Sequence, residues 1–78
     1  MGRIWYTQPL ENIVYEAIKH LSRGGQAPVR DTELLAHLKS QRIEISRIDL
    51  IRVITVLETI GYIRVHSSGD EVDIRLLK

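Results

Sequence analysis

The stretch from Ile45 to Leu77 constrains the fold most. It reads as a capped amphipathic helix, a glycine stop and two alternating strands joined by Ser67-Ser68-Gly69-Asp70. Ser46 is placed to accept a hydrogen bond from the Asp49 amide, Asp49 to reach back to Ser46, and Ile45 to staple onto Leu50, which together mark a helix start. Gly61 follows Ile60, where the closing turn needs a left-handed residue that glycine supplies without strain. Between Arg47 and Ile60, Leu50, Ile54 and Leu57 recur on one side, with Ile51, Val53 and Ile60 at its flanks. Beyond Gly61, Ile63 and Val65 alternate with Arg64 and His66. Val72, Ile74 and Leu76 then alternate with Asp73 and Arg75, the period of strands with one buried face.

Upstream, Pro9 suits the first position of a helix whose stripe is Leu10, Ile13, Val14, Ala17, Ile18 and Leu21. Ser22-Arg23-Gly24-Gly25 stops it, and Ala27-Pro28-Val29 follows as a brief extended stretch or first strand. Asp31 or Thr32 caps a second helix running to about Ser40, with Leu34, Leu35 and Leu38 inward and His37 and Lys39 outward. Gln41 to Ile45 is the turn between helices, where Ile43 or Ile45 tucks under the bundle. Residues 1–8 form an apolar arm ahead of one unit spanning 9–78, with no internal repeat and no linker.

A chain of 78 residues has a thin core, since a domain this small buries only roughly 60% of the surface its unfolded chain exposes. Hydrophobic residues make up 44% of it, aromatics 5%, and Phe is absent, so that core is built from Ile, Leu and Val. It leaves no space for an enzyme-sized cavity. The absence of Cys removes a disulfide framework and thiolate metal sites, and agrees with a reducing, cytoplasmic setting. A net charge of +1 argues against a non-specific nucleic-acid coat protein. No apolar run is long enough to span a membrane, and Tyr6 stands where a myristoylation motif needs Ser or Thr.

The segment Arg52-Val53-Ile54-Thr55-Val56-Leu57-Glu58-Thr59-Ile60-Gly61-Tyr62-Ile63 resembles the end of the recognition helix and the start of the wing in MarR-type and related winged-helix regulators. Those proteins carry an Arg, a Leu-Glu pair, then Gly followed by an aromatic or aliphatic residue and Ile or Val. Winged helices of archaeal and eukaryotic transcription machinery look similar. The resemblance implies an α+β winged helix-turn-helix: a three-helix bundle with a C-terminal β-hairpin wing. The third helix would enter the major groove of double-stranded DNA, and the wing would lie along the adjacent backbone or minor groove. Arg52 matches the family's helix arginine, and Ser46 and Arg47 its polar start. The chain departs from the pattern at Ile51 and Val56, where many relatives carry hydroxyl or basic residues, and at Asp70 and Glu71 in the wing.

Lys39, Arg42, Arg47 and Arg52 cluster around the corner between the second and third helices, where they can hold phosphates while Arg47 offers a fork able to read guanine. The plainer account is a solvated surface with local ion pairs, such as Arg52 with Asp49. Thr55 on the outward helix face, and Arg64 and Ser67 on the hairpin, complete the expected DNA-contact set, although turn chemistry alone accounts for the serines. Ile48 and Val56 on the same outward face favour instead a protein partner within a transcription, replication or membrane-remodelling assembly. The arm residues Ile4, Trp5 and Tyr6, with Leu10 and Val14, are the expected homodimer interface, and packing of the arm within the chain is its alternative. His20, His37 and His66 fall on different elements without ligand spacing, so no metal or other cofactor is expected. No nucleophile elbow, phosphate loop or paired carboxylates appear, so no catalysis is expected. The expectation is therefore a small DNA-binding transcriptional regulator.

Overall fold

In the computed structural model, which describes residues 10–78, the apolar stripe of the first helix faces inward along its length. That helix, α1, spans Leu10–Leu21; Val14, Ala17 and Ile18 are buried, and Leu10, Ile13 and Leu21 pack half-buried at the rim. Strand β1 (Val29–Arg30), helices α2 (Asp31–Ser40) and α3 (Arg47–Thr59), and strands β2 (Ile63–Ser68) and β3 (Glu71–Leu76) follow. The described residues form a small α+β domain of three helices and a three-stranded antiparallel sheet in the order β1-β3-β2. Pro9 and the arm residues lie outside the described residues.

The extended stretch before α2 is a strand, because Val29 pairs with Ile74 and both bury their side chains in the core. It runs straight into the helix, which moves the cap. Arg30, in extended conformation, is the N-cap, and its amide donates to Glu33 Oε1 at 3.2 Å. Asp31, expected with Thr32 as a cap, is instead the first helical residue. It is buried, and its Oδ1 accepts from the Thr32 amide at 2.9 Å. Helix α2 closes through Arg42 in the left-handed region (φ 62), with the Ile43 amide bonded to the Leu38 carbonyl at 2.9 Å. That backbone geometry usually falls to glycine, and a side chain there costs roughly 1 kcal/mol.

Helix α3 begins as expected in part. Ser46 Oγ accepts from the Asp49 amide at 3.1 Å, but among the described residues no return bond from Asp49 to Ser46 forms. Its stop follows the glycine pattern in full: Gly61 has φ 86, its amide meets the Glu58 carbonyl, and the Tyr62 amide meets Leu57 at 3.0 Å. Leu50, Val53, Ile54 and Leu57 are buried. Val53, expected at a flank, is thus a core residue, whereas Ile51 and Ile60 are exposed. At about 100° per residue, Ile51 lies well off the centre of the buried arc that Leu50 and Leu57 define.

The hairpin differs from its expected form in one consequential respect. Its turn is two residues, Gly69 and Asp70, and both Ser67 and Ser68 belong to β2, paired with Val72 and Glu71. Gly69 is left-handed (φ 61) while Asp70 is not, the pattern of a type II′ turn, whose twist matches that of the strands. Ile63, Val65, Ile74 and Leu76 face the helices. The end of the chain is tied back through the Leu77 amide to the Tyr62 carbonyl at 2.8 Å, and through the Tyr15 hydroxyl, which donates to the Lys78 carbonyl.

Candidate nucleic-acid interface

The corner between α2 and α3 is built by the left-handed Arg42 and by Ile43 and Ile45, which both tuck half-buried against the core. Where the alternation of isoleucines left either one as the anchor, the structure uses both. Anchoring the turn on two apolar side chains turns Lys39, Arg42 and Glu44 outward, around a shallow cleft that they share with the isoleucines.

Arg47 does not stand free beside them. Its Nη2 donates to Asp31 Oδ2 at 3.1 Å, and the Asp31 side chain is only 7% exposed. A carboxylate taken that far from water requires a cationic partner, so Arg47 pins the start of α3 to the start of α2. The contact gives Arg47 a structural duty beside the expected guanine-reading one, and its side chain stays 56% exposed. Arg52 is exposed and makes no ion pair among the described residues; the pairing with Asp49 does not form. Ser46 is exposed and spends its oxygen on the helix cap, leaving its own proton free to donate.

Thr55 is also placed outward, but its hydroxyl donates to the Ile51 carbonyl at 2.9 Å, as Thr59 does to Thr55 at 2.8 Å. Donation to a phosphate would break that bond, so the Thr55 oxygen is left to accept. Around these threonines lie Ile48, 69% exposed, and Ile51 and Val56, each 44% exposed. The outward face of α3 is therefore largely apolar, with Arg52 as its one cation among the described residues.

On the hairpin, Arg64 and Ser67 fall on opposite faces, because side chains alternate and their numbers differ in parity. Ser67 shares the helix-facing side with Ile63 and Val65. Arg64 lies on the outer face with His66 and, across the strand pair, Arg75. The two expected contacts thus cannot serve one phosphate strand side by side. Arg75 was not singled out from the sequence, since only the register shows that it stands directly opposite Arg64.

Of the expected dimer residues, Leu10 is half-buried at the rim of α1, and Val14 has no exposed surface. Val14 is corrected to a core residue, because it sits at the centre of the α1 stripe. Ile4, Trp5 and Tyr6 lie outside the described residues. His20 and His37, distant in sequence, stack with ring centroids 5.5 Å apart, and His37 is half-buried rather than outward. Among the described residues no group of three or more His, Cys, Asp or Glu side chains is placed to hold a metal ion, and no helix is long and apolar enough to cross a membrane.

No protein-family model matches the chain, and no curated protein or solved structure matches it either.

Proposed function

We propose that this domain is a winged helix that binds double-stranded DNA, with α3 in the major groove, as a small transcriptional regulator. The element order helix, strand, two helices and hairpin is compatible with that topology. The observation that carries the reading is a set of unpaired cations: Lys39 and Arg42 at the α2–α3 corner and Arg52 on the outward face of α3 are exposed, and among the described residues none has a carboxylate partner. Cations left unpaired at the leading edge of a helix are the means by which proteins hold phosphates and set a helix in register on a duplex. The test is fluorescence anisotropy of a random-sequence duplex over a salt series. Binding at low salt should weaken with added salt, and K39Q/R42Q/R52Q should flatten the log–log slope by about 0.9 for each phosphate that the variant no longer neutralises. An unchanged slope removes these residues from the interface.

A second reading has its own observation: Ile48, Ile51 and Val56 form an apolar face on α3, which suits a protein partner better than a polar groove. In that case I48D/V56D abolishes capture of a stoichiometric partner, while the wild-type chain fails to retain a duplex even at low salt.

A further inference from the structure

The outer face of the sheet, turned away from the helices, carries a charge arrangement that its own fold does not neutralise. Arg64 and Arg75 stand directly opposite each other in the β2–β3 pair, where facing side chains begin about 5 Å apart. Like charges in that relation destabilise a sheet. Neither arginine makes an ion pair among the described residues. The neighbouring carboxylates are engaged elsewhere: Arg30, on the far side of β3, reaches Glu71 at 3.3 Å and Asp73 at 3.9 Å.

The register arranges this face in rows. Arg30, Asp73 and His66 align across the three strands, and Arg64 and Arg75 lie one row further from the turn. Asp70 and Glu71 therefore stand at the hairpin tip, the Asp73 carboxylate lies in the middle row and is turned to Arg30, and the facing guanidinium groups occupy the base. Pro28, Arg64, His66, Asp73 and Arg75 line a shallow cleft there of about 320 Å³.

We propose that this cleft is a binding site for a phosphate group, held between the guanidinium forks of Arg64 and Arg75 with His66 at its edge. Two planar forks at cross-strand spacing present parallel N–H donors to the oxygens of one tetrahedral anion, and the anion relieves the repulsion between them. Pro28 supplies a wall with no N–H of its own, which leaves the arginines as the donors. Resting on the nucleic-acid reading, the source of that phosphate is the phosphodiester backbone, met by the base of the wing rather than its acidic tip. A small phosphate compound is the other source of the same chemistry.

The experiment pairs two probes on the full chain. Anisotropy with a random duplex across a salt series compares wild type, R64Q/R75Q and K39Q/R52Q. Backbone amide shifts then follow a titration with pyrophosphate. R64Q/R75Q removes the cross-strand repulsion, so its melting temperature should equal or exceed that of wild type, which excludes misfolding as the cause of weaker binding. The expected result is a salt slope lower by about 0.9 in R64Q/R75Q, as the one phosphate held between the two forks goes unneutralised, with pyrophosphate shifts centred on Arg64, His66 and Arg75 that vanish in the variant. Duplex binding with a wild-type slope in R64Q/R75Q but a reduced slope in K39Q/R52Q overturns the cleft as a backbone site and leaves the nucleic-acid reading standing. No duplex binding, with pyrophosphate shifts that depend on both arginines, overturns the nucleic-acid reading and supports a small-phosphate site. If the duplex and pyrophosphate both fail to bind, the cleft and the nucleic-acid reading fall together.

Discussion

The outward face of α3 and the outer face of the sheet meet solvent in opposite chemical terms. On α3, Ile48, Ile51 and Val56 are exposed around threonines whose hydroxyls are spent on helix carbonyls, and Arg52 is the one cation among the described residues. On the sheet, Arg30, Arg64, Arg75, His66, Asp73 and Glu71 make a face that is almost wholly charged or ionisable. The element that the resemblance to winged-helix regulators selects as the reader of DNA is the less polar of the two. Its supporting cations sit at its entrance, at Lys39 and Arg42, rather than along its length. On the proposed DNA-binding reading, a helix of this composition would draw affinity from its edges, whereas the hairpin carries charge on the flat of its strands.

Three substitutions break or sharpen that contrast. The largest effect is expected from Arg47→Met, which leaves the buried Asp31 carboxylate without its partner and loosens the corner that orients α3. Because the Arg47 side chain is itself 56% exposed, water recovers part of the loss. The expected cost is about 2 kcal/mol, read as a lower urea midpoint, and Asp31→Asn in the same background should recover most of it. Gly61→Ala acts at the junction of the two regions: a φ of 86 is strained for any residue with a Cβ, although the added methyl meets nothing. About 1 kcal/mol of destabilisation is expected by thermal unfolding, and its absence would mean that the closing turn of α3 relaxes independently of the hairpin. The smallest effect has the opposite sign. Arg75→Glu places opposite charges across the strands at Arg64 and should raise stability by about 0.5 kcal/mol at low salt, fading as salt is added. Destabilisation instead would show that the arginine pair is already neutralised in the folded chain.

Much of α3 is legible in the sequence because its signals are local. A serine three residues ahead of the amide it caps, a glycine one residue past the last turn and leucines at helical spacing each act within a few residues. The same holds for the alternation of the strands. The hairpin register is not legible. A turn taken as Ser67 to Asp70 pairs His66 with Glu71 and sets Arg64 opposite Asp73, an ordinary ion pair. The two-residue turn moves the register by two positions and sets Arg64 opposite Arg75. Side chains stay on the same faces under such a shift, so the hydrophobic pattern that located the strands could not detect it. Likewise, nothing near Arg47 or His37 in the chain announces Asp31 or His20, which packing alone brings to them.

From the sequence by itself came the three helices, the two strands of the hairpin, their order, most of their buried faces and the glycine stop, since these follow from spacing along one chain and from the backbone freedom of particular residues. Only the tertiary structure decided which charges meet: Arg47 with Asp31, Arg30 with Glu71 and Asp73, and Arg64 with an unneutralised neighbour. The reason is physical. Burial acts on each residue's own affinity for water and so leaves a periodic trace in the chain, whereas a charge's role depends on what stands within a few ångströms of it, which turn length and helix packing set.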